Sequence, residues 1–249
     1  MTRTKRVLLG LCSVVFGLMA FNVTGSQAEG TWLILVTPGG AVKTGVELPA
    51  TLALEKDNGI FVLASEILHI EVFFLCTEIK AVNAKIFGTG AIGKGPGEER
   101  ESKVLFSGCT TDLNGVPTPG CTPKDPTDGE GFIVTKFLHA LAVLHELADR
   151  TKDDVVAVLP DAGETLATIV TGNACPVGNS VPVIGKLAVE DCENLALTHL
   201  VKHLVEPFED LTELWTISKT EEHEAGLFGS AWAKLVGEHV DKQWSISGL

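Results

Sequence analysis

The chain has 249 residues, 45% of them apolar, and its 32 acidic and 19 basic side chains give a formal charge of −13 at pH 7. Such an acidic surface repels nucleic acid and anionic lipid, which proteins bind through clusters of Lys and Arg. Because the apolar content is enough to build a core, the composition also excludes an intrinsically disordered chain.

The first 28 residues are typical of a secretory signal peptide. Three basic residues precede an apolar run at residues 7–21, and Ser26-Gln27-Ala28 places small residues at positions −3 and −1 of a cleavage site. Loss of the three basic residues would lower the formal charge from −13 to −16. We expect cleavage near Ala28, one exported domain over residues 29–249 in the periplasm, on the cell surface or in the medium, and no membrane span in the mature chain.

Short runs rich in Val, Ile, Phe and Thr alternate with Gly- and Pro-containing turns along the rest of the chain, which is typical of β-strands. Two hairpins are predicted, one joining residues 50–54 to 60–63 and one joining 79–87 to 102–106. The closely spaced turns predict a mainly β fold, a β-sandwich or β-barrel-like single domain of many short antiparallel strands. Further strands are expected at residues 31–36, 69–74, 155–159, 165–170, 181–187, 211–217 and 227–236.

The glycine-rich segment Gly88-Thr-Gly-Ala-Ile-Gly-Lys-Gly95 matches both G-x-G-x-x-G and most of a P-loop motif. A phosphate-binding loop must open a helix, and here Pro96 and Gly97 follow instead. The sequence therefore predicts the tip of the second hairpin and no nucleotide cofactor.

Two segments carry a helical pattern. Residues 132–149 fit a helix and a strand equally well, and the first half favours a strand. In residues 195–206, apolar side chains fall on one helical face and Pro207 follows, so one short helix is expected there.

Five cysteines follow the predicted cleavage site, and export favours disulfides among them. Cys109 and Cys121 flank one turn-rich loop, and Cys175 and Cys192 flank a second, so these are the predicted pairs, and the sequence alone does not determine the connectivity. Each closure would stabilise the fold by about 3 kcal/mol. Cys76 lies in a strongly apolar run and is expected to be a buried thiol.

A metal site is predicted from the helix at residues 195–206. His199 and His203 would lie one helical turn apart, at a spacing that chelates Zn²⁺ or Cu²⁺, and Glu206 could add an oxygen ligand. Lys202 lies on the same stripe and would repel a cation, which favours an ordinary solvated helix face.

No catalytic residues are predicted, because the chain contains neither a G-x-S-x-G motif nor a complete H-E-x-x-H motif. The sequence favours an exported, non-catalytic structural or binding protein that meets an unidentified protein or cell-surface partner and not nucleic acid. One alternative is an exported metal-binding protein or metal-dependent hydrolase that uses His199 and His203. A second is a self-assembling extracellular matrix protein.

Overall fold

The computed structural model of the chain describes residues 28–35, 42–44, 50–57, 59–87, 98–146, 152–191, 197–203, 212–219 and 221–248. This part consists almost entirely of antiparallel β-strands, which confirms the predicted mainly β single domain. The strands are β1 (Ala28–Leu35), β2 (Val42–Thr44), β3 (Ala50–Lys56), β4 (Phe61–Ile67), β5 (Ile70–Cys76), β6 (Glu78–Val82), β7 (Lys85–Phe87), β8 (Glu98–Ser107), β9 (Thr110–Leu113), β10 (Val116–Pro117), β11 (Lys124–Asp125), β12 (Gly129–Glu130), β13 (Ile133–Val134), β14 (Leu138–Glu146), β15 (Lys152–Pro160), β16 (Thr165–Val170), β17 (Ser180–Asp191), β18 (Thr198–His203), β19 (Glu213–Ser218), β20 (Glu221–Val236) and β21 (Trp244–Gly248). Two 3₁₀ turns, η1 (Pro119–Cys121) and η2 (Gly237–His239), are the helical segments of the described residues, and none of these residues forms a helix long and apolar enough to cross a bilayer.

Eight strands close into a ring, which we call the upper ring. Going around it, each strand pairs with the next in the order β14, β15, β17, β18, β20, β3, β7 and β8, and β8 pairs back with β14. A small sheet of β1, β2 and β21 joins it where β1 pairs with β14. Because the ring is closed, every ring strand has a paired neighbour on each side, and the ring has no unpaired edge strand.

A second set of strands, which we call the lower sheets, continues the wall of the ring. On one side β20 pairs with β4, β4 with β5 and β5 with β9, and on the other side β20 pairs with β19, β19 with β17 and β17 with β16. The lower half of β8 pairs with β6 and β13, and the Thr135–Ala167 bridge connects this group to β16. The upper ring and the lower sheets therefore enclose one continuous interior.

Three long strands, β8, β17 and β20, pass from the upper ring into the lower sheets, and two of them turn at a glycine. Gly185 of β17 has φ +115° and Gly229 of β20 has φ +152°, in the region that side chains other than glycine rarely adopt. A Cβ at position 185 would overlap the backbone carbonyl of Glu213, and one at position 229 would overlap the Phe61 ring. Glycine is therefore required where these strands change sheets.

Alternate side chains of the strands fill the interior. Phe74, Ile67 and Val72 are fully buried among the lower sheets, and Leu235 and Trp244 are fully buried in the upper ring. Each fully buried side chain of this size contributes about 1.5–3 kcal/mol to folding. The larger buried cluster thus lies among the lower sheets and a smaller one lies in the upper ring, and Val201 packs against both.

Two disulfides join the lower sheets, in a pairing that corrects the predicted one. Cys76 is bonded to Cys109 and Cys121 to Cys175, so the predicted pairs Cys109–Cys121 and Cys175–Cys192 and the predicted free thiol at Cys76 are wrong. Cys109, Cys121 and Cys175 do form disulfides as expected, and Cys192 lies outside the described residues.

Strand register explains why the nearer cysteines do not pair. Leu75 lies opposite Thr110, and Glu78 lies opposite Ser107, so the end of β5 meets the β8–β9 connection at Cys76 and Cys109. In the same way, pairing of β11 with β16 brings η1 close to the loop that follows β16. Long-range sheet pairing, and not distance along the chain, selects the partners.

The predicted helix at residues 195–206 is also wrong over the part that the structure describes, because Thr198–His203 is strand β18. β18 fills the gap between the facing edges of β17 and β20, and this pairing overrides the helical pattern of its side chains. The first predicted hairpin, at residues 50–54 and 60–63, does not form for a related reason. β3 and β4 both pair with the longer β20, one after the other, and no register joins them to each other among the described residues.

The second predicted hairpin is confirmed in its arms. β6 and β7 both pair antiparallel with β8, and its tip, the glycine-rich segment at residues 88–97, lies outside the described residues. The segment left open at residues 132–149 forms β13 and β14 up to Glu146, and residues 147–149 also lie outside the described part.

The bend at Gly185 predicts a large effect of a single methyl group. We expect Gly185→Ala to lower the free energy of unfolding by about 3 kcal/mol, since the methyl group combines an unfavourable φ with overlap on the Glu213 carbonyl. Gly115→Ala is the matched control, because Gly115 shares a positive φ but a Cβ there meets nothing within 4 Å, and it should cost about 1 kcal/mol. Equal losses for the two variants in urea unfolding would contradict the steric argument.

The disulfide pairing predicts both a peptide map and a stability change. A digest of the unreduced protein should contain a peptide linking Cys76 to Cys109 and one linking Cys121 to Cys175. Replacing Cys121 and Cys175 together by Ala should lower the free energy of unfolding by about 2–4 kcal/mol, because the 54-residue closure restricts the unfolded chain. Recovery of a Cys109–Cys121 peptide would show that the register described above is wrong.

Candidate binding cavity

The interior contains an apolar cavity of about 230 Å³ where the upper ring meets the lower sheets. No charged side chain of the described residues lines it, and the polar side chains in its wall are Ser102 and Thr135. Both are engaged with backbone: the Ser102 hydroxyl donates to the Leu138 carbonyl at 3.5 Å, and Thr135 Oγ1 accepts from the Val104 amide at 2.8 Å. The wall therefore offers almost only hydrocarbon to an occupant.

The cavity exists because small residues occupy inward positions where larger side chains would fill the space. Leucines and aromatic rings cover the remaining wall, including Leu63, Leu214 and Leu227 and the rings of Phe61, Phe74 and Phe106. A void next to well-packed side chains costs stability, so an occupant that fills it would recover lost contacts. The small residues of the wall are Ala81, Ala84, Ala140, Ala167, Gly229, Ala231 and Ala233.

The aromatic side chain of Trp244 bounds the cavity from the upper ring. It is 2% exposed and packs with Ala142, Ala233 and Leu235, although it belongs to β21 and not to the ring strands. The short turn η2 leads from β20 into β21 and so determines where Trp244 enters the ring. The small sheet of β1, β2 and β21 thus supplies an aromatic cover for the interior.

Such a wall can bind but has no groups for acid–base or nucleophilic chemistry. Cys76 contributes sulfur to the lining, but that sulfur is held in a disulfide. General acid–base catalysis needs a titratable side chain within hydrogen-bond reach of the reacting group. The described part of the wall provides none, and its hydrocarbon surface fits an apolar molecule.

The residues of the predicted metal site do not have the spacing on which that prediction rested. His199 and His203 lie on β18, where four residues span about 13 Å, compared with about 6 Å in a helix. Glu206 lies outside the described residues, and within them no three His, Cys, Asp or Glu side chains converge as metal ligands do. Metal binding by these three residues stays a prediction.

The sequence contains a pattern that indicates the cavity, but a search for turns and catalytic motifs does not detect it. Ala140 and Ala142 are two residues apart, as are Ala231 and Ala233, and a spacing of two places both members of a pair on one face of a strand. Small side chains that share an inward face leave space in a closed sheet. Once strands have been predicted, an excess of small residues on their inner faces is therefore what indicates such a cavity.

A buried histidine lies beside the cover, outside the cavity wall. His239 of η2 is 4% exposed, and burial lowers its pKa from the ordinary value. Lys242 lowers the pKa further, while Glu238 raises it. The neutral imidazole is therefore the form that the folded protein accommodates at η2.

This lowered pKa predicts a loss of stability in mild acid. The unfolded chain binds a proton at His239 more readily than the folded one, so the stability that the neutral imidazole contributes is fully present above the unfolded pKa and is lost as the pH falls through the lower, folded pKa. His239→Gln should reduce the fall in the free energy of unfolding between pH 7.5 and 5, measured in urea at each pH. His69→Gln is the control, since the His69 side chain is 98% exposed, and an equal change for both variants would contradict the assignment.

Comparison with known proteins does not assign this site. The chain matches no protein-family model, and searches of curated proteins and of solved structures found no match.

Proposed function

We propose that this protein is an exported, non-catalytic binding protein that holds one small apolar molecule inside its closed sheet. The observation that supports this function most is the cavity of about 230 Å³ with a wall of hydrocarbon and small residues. The two disulfides fit an exported protein, because such bonds persist in oxidising compartments. An exported carrier or sensor of apolar molecules agrees with both features.

The volume indicates the size of the ligand. An apolar cavity of about 150 Å³ accepts benzene, with six non-hydrogen atoms. In proportion, the cavity described here suits a molecule of about nine non-hydrogen atoms, such as a medium-chain hydrocarbon or a small ring with an alkyl substituent.

The expected affinity is moderate. Burial of an eight-carbon chain gains about 0.8 kcal/mol for each methylene, or about 6 kcal/mol in all. Part of this gain is offset by the lost motion of the ligand, so the net binding free energy is smaller than this figure. Polar contacts would be needed for tighter binding.

The proposal predicts saturable binding of n-octane. We expect octane to raise the thermal unfolding temperature with rising concentration and to perturb NMR signals of wall residues, because it binds the folded state alone. Ala231→Leu should abolish both effects, since the larger side chain fills the cavity. Ala140→Leu fills the same space from another strand and serves if the first variant fails to fold.

The matched control is Ala64→Leu. Leu63 lines the cavity, so its neighbour Ala64 on β4 faces outward, and the same enlargement there should leave octane binding unchanged. Absence of saturable binding in the natural protein, or equal binding in the filled variants, would contradict the proposed function. In that case the metal-binding and self-assembling alternatives, which no observation here favours, would be the ones to pursue.

A further inference from the structure

A small polar group lies directly below the cavity on the inner face of the lower sheets. Thr216 of β19 pairs with Val183 of β17 on one side and with His223 of β20 on the other. Cross-strand partners point to the same face of a sheet, and Val183 lines the cavity while Thr216 is fully buried. The row Val183–Thr216–His223 therefore runs along the inner face, from the cavity wall to an imidazole.

The neighbouring strand β4 adds a hydroxyl to this group. Ser65 Oγ lies 2.7 Å from Thr216 Oγ1, and Ser65 Oγ also donates to the Glu224 carbonyl at 3.0 Å. Two residues further up β4, Leu63 belongs to the cavity wall, as does Leu214 two residues before Thr216 on β19. The polar group of Ser65, Thr216 and His223 thus begins two residues, or about 7 Å, further along the strands than the hydrocarbon wall.

The hydroxyls of this group have partners, but one nitrogen has none. His223 Nε2 is buried and makes no hydrogen bond to any residue that the structure describes. A buried polar atom without a partner costs about 1–3 kcal/mol, and such atoms are rare in native proteins. A ligand that reaches from the cavity to this level would satisfy the nitrogen.

We infer that the ligand of the cavity is an aliphatic alcohol, with its chain in the apolar cavity and its hydroxyl on His223 Nε2. This inference rests on the proposed function and names its ligand class. An imidazole nitrogen is a donor in one tautomer and an acceptor in the other, and a hydroxyl matches either.

Burial around His223 selects a neutral head group. The neighbouring carboxylates Glu222, Glu224 and Glu66 are exposed and alternate with the inward residues, so they face outward. A carboxylate head group would lose its hydration inside the protein, and the described cavity wall offers no cation to compensate. A fatty acid of the same length is therefore the wrong ligand, although its chain fits equally well.

The test measures three probes of equal chain length, n-octane, 1-octanol and octanoate, by competitive NMR titration against natural protein and the variant His223→Leu. We expect the ratio of the octanol to the octane dissociation constant to rise about tenfold in the variant, as for loss of one buried hydrogen bond. Octanoate should bind more weakly than octanol to the natural protein. His223→Gln, which keeps a polar group at similar reach, should recover most of the octanol affinity, and His69→Leu is the surface control.

Each outcome decides at least one of the two proposals. Octane binding by both proteins, with an unchanged octanol ratio in His223→Leu, would overturn the role of His223 and leave the apolar cavity as the binding site. Stronger binding of octanoate than octanol would overturn the alcohol as the ligand. Absence of binding for all three probes to the natural protein would overturn this inference together with the proposed function.

Discussion

The pairing of β8 with β14 is the constraint on which the interior depends, because it turns a wide antiparallel sheet into a closed one. The register between these strands is irregular, with a shift between Leu138 and Ala140, and the Ser102 hydroxyl bonds to the Leu138 carbonyl beside the shift. A bulge of this kind bends a strand and increases its twist, which a sheet needs in order to close. With the ring closed, backbone groups are satisfied within the wall and the inner face can be entirely apolar.

Closure also explains why an empty space can persist inside. Eight strands enclose an interior that side chains just fill, so the volume of each inward residue decides whether space remains. Here Ala140, Ala231 and Ala233 come from strands on different parts of the ring, and Gly229 lies where β20 bends. The bend that carries β20 into the lower sheets requires glycine at position 229, so no side chain projects from this position into the cavity.

The sequence was sufficient for the elements whose pairing is local. Residues 79–87 and 102–106 pair across a short connection, as their alternation and turn signals predict. The same signals failed at residues 50–63, where β3 and β4 both pair with β20 and not with each other. The sequence also failed at Thr198–His203, where the helical pattern is real but the strand is imposed by two partners distant in the chain. The prediction for Cys76 failed for the same reason. Its disulfide follows from the register of β5 and β6 with β8 and β9, which the spacing of cysteines along the chain does not reveal.

The candidate site was harder to predict than the fold, for a physical reason. A motif is a set of residues that carry chemistry, whereas this cavity is a property of missing volume on several inner faces at once. The His223–Thr216–Ser65 group draws on three strands, and Ser65 and Thr216 are 151 residues apart in the chain. Only the register of β4, β19 and β20 brings these side chains together.

β20 and β21 pair with strands that lie far from them in the chain, which bears on the order of folding. β3 meets β20 at pairs such as Leu54 with Ala233, and β1 meets β21 at pairs such as Trp32 with Ile246. Until residues 221–248 pair with them, β1, β3, β4, β18 and β19 lack one of their neighbours in the sheet. Folding dominated by such distant contacts is slow, and its intermediates expose apolar surface and unpaired edges. The last two strands of the described chain, β20 and β21, are therefore the ones whose pairing completes the upper ring and its aromatic cover.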